Sequence, residues 1–115
     1  MNRKKSIKVA IIPARYGSKR IKKKNVKNFN SKPMISWVLE KLVKSNIFDK
    51  IIVSSDSKRI LNISKKYGAD ILIKRPVNLS GDKIATQPVI KHALSELEKK
   101  YNFNVNYACC VYPCN

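Results

Sequence analysis

Apolar residues fall along this 115-residue chain in two alternating patterns, short continuous runs and longer helical periods. The runs predict four strands, at residues 6–12, 50–54, 71–73 and 107–112. Three- and four-residue spacing between them predicts amphipathic helices at about residues 33–45, 58–67 and 86–101. This β-α-β-α-β-α-β order, with strands apolar on both faces, favours an α/β fold: a Rossmann-like, doubly wound, mostly parallel sheet covered by helices on both sides.

Turn and cap residues mark the ends of these elements. Pro13 lacks an N–H and is expected to end the first strand, whereas Pro33 suits the first position of a helix. Residues 55–57 supply cap residues for the second helix, and Asp56 among them is either a cap or a carboxylate at the ligand edge. Gly68 is expected to end that helix, and Thr86 to cap the third.

Two long loops, residues 13–32 and 74–86, follow the first and third predicted strands. In a parallel sheet both lie at the edge formed by the carboxyl ends of the strands. Such sheets bind ligands at this edge, near the point where the strand order reverses. We therefore expect the ligand site there.

Charge is distributed unevenly. The net charge is +18, and residues 1–35 contain 12 lysines and arginines and no acidic residue. Such a block is typical of a solvated tail or a nucleic-acid surface, but the buried strand within it argues against a tail. No apolar run approaches the roughly 20 residues that span a bilayer, and no signal peptide is evident, so we expect no membrane partner.

The first loop has the composition of a phosphate-binding segment. Gly17 allows a turn that presents backbone N–H groups, Ser18 adds a hydroxyl, and Arg15, Lys19 and Lys24 supply positive charge. The segment is neither a Walker loop nor a dinucleotide fingerprint, both of which need glycines that this chain lacks. From composition alone, a merely solvated basic loop remains the alternative.

Three segments together resemble one enzyme family. They are IIPARYGSKRIKKKNVKNFNSKPMISWVLE, VSSDSKRILNISKKYGAD and RPVNLSGDKIATQPVIKHAL. In this order and spacing they look like the cytidylyltransferases that activate nine-carbon sugar acids. The resemblance implies a fold of the nucleotide-diphospho-sugar transferase type.

Smaller differences point to a branch of this family. The segment ACCVYP looks like the pseudaminic acid branch, whereas the N-acylneuraminate branch typically has glutamine where Tyr112 stands. Tyr16 is shared with relatives that activate the eight-carbon acid KDO, but those tend to have Lys-Pro where this chain has Lys24 and Asn25. Lys22 replaces a usual proline.

The resemblance implies a reaction and a role for each matching residue. The anomeric hydroxyl of the sugar acid attacks the α-phosphate of CTP, and pyrophosphate leaves. Arg15 and Lys19 are the implied catalytic residues, holding the triphosphate and stabilising charge at phosphorus. The implied nucleotide-binding residues are Ala14, Gly17, Ser18, Lys24, Asn25, Arg75 and Thr86.

The family also implies features beyond these residues. It implies Mg²⁺ assistance, with metal ligands downstream of this chain and none within it, and a homodimer of the full-length enzyme. Residues 1–115 are accordingly expected to be the N-terminal nucleotide-binding part of one domain, truncated after the fourth strand.

The remaining chemistry-bearing residues are better explained by structure. His92 has no neighbouring set of metal ligands, so a packing or surface role is expected. Adjacent Cys109 and Cys110 cannot close a useful disulfide loop and read as small residues of the strand core. Unpaired cysteines favour a reduced, cytoplasmic chain.

Two other functions compete with this one. Another sugar nucleotidyltransferase, such as the KDO enzyme, is the nearer alternative. A basic nucleic-acid-binding module is the more distant one. We expect no nucleic-acid partner, because the charged stretch carries few interleaved aromatic residues and lies on no recognition helix.

Overall fold

The structure is a computed structural model that describes residues 5–14, 28–29, 32–76 and 86–112. Its main sheet has four strands, β1 (Lys5–Pro13), β4 (Lys50–Ser55), β5 (Ile71–Lys74) and β6 (Phe103–Cys110). Two very short strands, β2 (Asn28–Phe29) and β3 (Lys32–Pro33), form an antiparallel pair. The helices are α1 (Met34–Ser45), α2 (Lys58–Lys66) and α3 (Thr86–Lys100). The predicted α/β order is confirmed.

The main sheet is parallel throughout and its strand order is β5-β4-β1-β6. The chain moves outwards from β1 to β4 and β5, then returns to place β6 on the other side of β1. The strand order therefore reverses between β1 and β6. This is the position at which open α/β sheets form a crevice at the carboxyl ends of their strands.

Helices cover both faces of this sheet, as the apolar strands predict. One face packs against α3 through a core that comprises Ile7, Val9, Ile11, Ile52, Ile71, Ile73, Ala93 and Leu97. The other packs against α1 and α2 through Ile12, Ala14, Ile35, Leu39, Ile51, Val53, Ile60 and Leu61. Alternate residues of β1 enter opposite cores, so the strand is buried on both sides and anchors the layers.

Local signals are confirmed at α2. Ser57 is the N-cap, and its Oγ accepts a hydrogen bond from the backbone N–H of Ile60 at 3.3 Å. Tyr67 is the C-cap, and Gly68 follows it with a φ of +112°. A positive φ is readily adopted by glycine, which explains why the helix ends there.

The boundaries of two elements differ from those predicted. Pro33 does not begin α1. It is the last residue of β3 and pairs with Asn28 of β2, and the helix begins at Met34. Strands of two residues have no periodicity to detect, so the sequence did not indicate this pair. The last strand runs from Phe103 to Cys110. It begins earlier than predicted because Phe103 and Val105 pack against the core between the sheet and α3.

The cysteines do not lie in the core as predicted. Cys109 is partly buried and Cys110 is exposed, and both are free thiols. The reason is the position of β6, which lies at an edge of the four-stranded sheet and is incompletely covered by the described residues. Among the helices of the described ranges, none is long and apolar enough to span a membrane.

Candidate functional site

The carboxyl ends of β1, β4 and β5 meet at one backbone carbonyl, that of Ser54. Its oxygen accepts the N–H of Ala14, the first residue after β1, at 2.9 Å. It also accepts Nη2 of Arg75, the first residue after β5, at 3.3 Å. Two residues predicted to bind nucleotide, distant in sequence, are thus bonded to the same atom at the predicted edge.

Arg75 is held at this edge by its backbone as well. Its N–H donates to the carbonyl of Ser55 at 2.9 Å, which extends the β4–β5 pairing by one residue. The residue is only 7% exposed, an unusual position for a guanidinium. A buried cation is costly unless it is hydrogen-bonded, so the bond to Ser54 contributes directly to keeping Arg75 there.

Ser54 and Ser55 are themselves fully buried. Ser55 Oγ accepts the backbone N–H of Ser57 at 3.0 Å and so shapes the turn between β4 and α2. Ser54 Oγ has no hydrogen-bond partner among the residues that the structure describes. The sequence indicated Ser55 only as a possible cap residue of α2 and gave Ser54 no role; the only signal was two hydroxyl residues that end an apolar run.

Lys74 lies at the end of β5, the outermost strand on this side of the sheet. Lys74 Nζ donates to the backbone carbonyl of Asp56 at 2.6 Å, across the ends of β5 and β4. With Arg75 beside it, the end of β5 presents two consecutive cations. Lys74 and Arg75 outnumber Asp56, which directly follows β4, so the described part of this edge carries a net positive charge that favours an anionic ligand.

The end of β6 lies on the other side of β1 at the same edge of the sheet. Ile11 pairs with Cys110, and the carbonyl of Ile11 accepts the N–H of Val111 at 2.9 Å. Partial burial of the sulfur raises the pKa of the Cys110 thiol. A hydrogen bond from Tyr112 acts in the opposite direction, and neighbouring Cys109 raises the pKa further.

The structure describes three of the nine predicted site residues. Ala14 is fully buried and joined to Arg75 through Ser54, whereas Thr86 is the first residue of α3. The other six lie outside the described residues: Arg15, Gly17, Ser18, Lys19, Lys24 and Asn25. Their assignment rests on the sequence.

The described residues do not form a metal site. Within the described ranges, no group of three or more His, Cys, Asp or Glu side chains could hold a metal ion. His92, half-buried on α3, places Nε2 at 3.4 Å from Oε1 of Glu96, one turn later on the same helix. This contact fits the surface or packing role predicted for it.

Comparison with known proteins defines the family. The family model described as cytidylyltransferase matches residues 9–112, and the chain therefore belongs to this family. It is 40% identical over 104 residues to the pseudaminic acid cytidylyltransferase of Campylobacter jejuni, covering 90% of this chain and 44% of that protein. It is 44% identical over 87 residues to the N-acylneuraminate cytidylyltransferase of Escherichia coli, covering 76% of this chain and 20% of that protein.

A solved structure supports the fold. A CMP:2-keto-3-deoxy-manno-octonic acid synthetase in complex with CTP superposes with a TM-score of 0.69 at 22% identity, over 95% of this chain and 40% of that one. This likeness confirms the fold. The sequence relatives support the pseudaminic acid branch that the ACCVYP segment predicts. The chain spans less than half the length of each of these proteins.

Proposed function

We propose that this chain is the nucleotide-binding part of a CTP-dependent cytidylyltransferase that transfers CMP to a nine-carbon sugar acid, with pseudaminic acid the favoured acceptor. The observation that carries the proposal is similarity over 90% of the chain to a pseudaminic acid cytidylyltransferase. Ala14 and the cations Lys74 and Arg75 lie at the carboxyl ends of the strands, the edge at which such sheets bind ligands.

The proposed reaction is an in-line displacement. The anomeric oxygen of the sugar acid forms a bond to the α-phosphorus of CTP, the bond to pyrophosphate breaks, and the hydroxyl proton passes to water. Arg15 and Lys19 neutralise the triphosphate and the leaving group, which is electrostatic stabilisation rather than proton transfer. A fixed cation acts more strongly at a water-poor edge than in bulk solvent.

The other proposed contacts divide between the two parts of the nucleotide. Gly17 and Ser18 line the phosphates through backbone N–H groups and a hydroxyl, together with Ala14 at the end of β1. Lys24 adds charge, and Asn25 contacts the nucleotide. Arg75 and Thr86 contact the cytidine part.

The family usually uses a divalent metal, and Mg²⁺ is the proposed ion. It supplies charge neutralisation on the phosphates when bound. Within the described ranges, no group of three or more His, Cys, Asp or Glu side chains could hold it. We further propose that the whole enzyme is a homodimer and acts in the reducing cytoplasm, where the free thiols of Cys109 and Cys110 persist.

Calorimetric titration of the chain with CTP, UTP and ATP at fixed ionic strength tests the proposal. The triphosphate and the chain's +18 charge are common to all three titrations, so a difference reports recognition of the base. We expect CTP to bind at least about tenfold more tightly than the others, a difference of about 1.4 kcal/mol. Equal affinities would contradict the proposal.

A matched pair of variants separates the site from general charge. Lys19→Met is expected to weaken CTP binding about tenfold, because it removes a charge-assisted contact to phosphate. Lys58→Met removes the same charge from the exposed start of α2 and should change the affinity less than twofold. Tight, steeply salt-dependent binding to duplex DNA without CTP preference would instead favour the nucleic-acid module.

A further inference from the structure

Arg75 connects the ends of three neighbouring strands. It follows β5 directly, its backbone N–H donates to Ser55 at the end of β4, and its Nη2 donates to the carbonyl of Ser54. That carbonyl also accepts the N–H of Ala14, at the end of β1. We propose that Arg75, besides any contact with cytidine, is a positioning residue that fixes Ala14 through the Ser54 carbonyl. The inference rests on the proposed function.

The position of Ala14 gives this bond its importance. The Ala14–Ser54 hydrogen bond follows Pro13, which pairs with Ser54 and has no N–H of its own to donate. Among the residues that the structure describes, the Ala14 N–H therefore provides the last backbone hydrogen bond between β1 and β4. Because Ala14 is joined by a planar peptide bond to the segment assigned to the triphosphate, fixing Ala14 restrains the start of that segment.

Burial makes the guanidinium suited to this task. At 7% exposure its bond to Ser54 is little weakened by competition with water. A planar guanidinium has five N–H donors in a rigid fork, so one can bind the carbonyl while others serve further acceptors. A lysine keeps the charge but loses the fork, and the two residues are not interchangeable at such a site.

A positioning role and a direct contact with cytidine predict different losses of ligand affinity when Arg75 is replaced. A contact with cytidine matters only for ligands that contain cytidine. A residue that positions Ala14 affects the segment assigned to the triphosphate, so its loss weakens binding of a bare polyphosphate as well. Tripolyphosphate, which lacks both base and ribose, is therefore the diagnostic ligand.

The experiment compares three variants by calorimetry with CTP and with tripolyphosphate. Arg75→Met removes the bond and the charge, and Arg75→Lys removes the fork alone. Arg59→Met, on the exposed face of α2, is the charge-matched control. We expect Arg75→Met to lower the affinity for both ligands about tenfold, and Arg75→Lys to lower both affinities at least threefold. Arg59→Met should change either affinity less than twofold.

Two results overturn the inference. If Arg75→Met weakens CTP but leaves tripolyphosphate unchanged, the residue acts by direct contact with cytidine. If Arg75→Lys binds tripolyphosphate as tightly as the wild type, charge alone explains the effect. A wild-type chain without CTP preference contradicts the proposed function instead, so the two failures are distinguishable.

Amide hydrogen exchange of the free protein tests the positioning by itself. Without the Arg75 bond, we expect exchange at the Ala14 N–H to accelerate about tenfold in both Arg75 variants. Ala10, in the middle of β1, should keep its wild-type rate, which shows that the sheet is still folded. Unchanged exchange at Ala14 in a folded variant contradicts the inference whatever the ligands do.

Discussion

Gly68 packs so closely against Val43 that a Cβ atom on Gly68 would be 2.7 Å from Cγ2 of the valine. Contacts this short do not occur between real side chains, and Gly68 also has a φ of +112°. The glycine thus serves two purposes. It ends α2 and it allows the end of α1 to approach the turn after α2.

Replacing this glycine should destabilise the fold. Gly68→Ala is expected to lower the free energy of unfolding by about 1–2 kcal/mol from the positive φ alone, with the collision against Val43 added. Chemical denaturation gives the value. In the double variant with Val43→Ala the collision disappears but the backbone strain remains, so we expect partial recovery. Full recovery would show that the φ angle costs nothing.

The centre of the sheet should tolerate truncation poorly. Ile52 is fully buried between β1 and β5 on the α3 face, and Ile52→Ala should cost about 2–5 kcal/mol because it leaves a cavity. Ile47 is 61% exposed, and Ile47→Ala is the matched control with an expected change below about 0.5 kcal/mol. Similar losses at the two positions would contradict the assigned core.

The cap of α2 offers a milder test. Ser57→Ala removes the oxygen that accepts the Ile60 N–H, and we expect a loss of about 1 kcal/mol in thermal or denaturant unfolding. Asn62→Ala, on the exposed surface of the same helix, should be neutral or slightly stabilising because alanine has the higher helix propensity. A neutral Ser57→Ala would mean that water replaces the cap without cost.

The thiol of Cys110 should be slow to react at neutral pH. Although Cys110 is exposed as a residue, partial burial of its sulfur favours the neutral thiol and raises its pKa above the ordinary value of 9.0, so alkylation by iodoacetamide should reach half its maximal rate above that pH. Because the folded state favours the neutral thiol, Cys110 contributes fully to the free energy of unfolding below pH 9.0. This contribution is lost as the pH rises through the raised pKa.

Tyr112 provides the control for that measurement. Its hydrogen bond lowers the pKa of Cys110, so Tyr112→Phe should move the alkylation midpoint to still higher pH. Cys109→Ser should move it down, because the neighbouring thiol raises the pKa. A midpoint at or below 9.0 in the wild type would contradict the proposed environment.

The sequence alone determined the layer architecture and predicted the sheet edge at which we propose that the ligand binds. Apolar runs such as that of β1 must be buried on both faces, and helices at regular intervals leave few alternatives to a parallel sheet. It also placed the cap of α2 among residues 55–57 and the end of that helix at Gly68, because these signals depend on the residue and its immediate neighbours.

Tertiary structure alone decided which distant residues meet. The strand order β5-β4-β1-β6 brings Arg75 and Ala14 to one carbonyl, and no periodicity records the order in which strands pair. Likewise, cysteine is a residue type that is often buried, but Cys110 is exposed because its strand lies at the edge of the sheet. Local patterns report how a segment is shaped, whereas burial and hydrogen bonding between segments depend on contacts that only the folded chain creates.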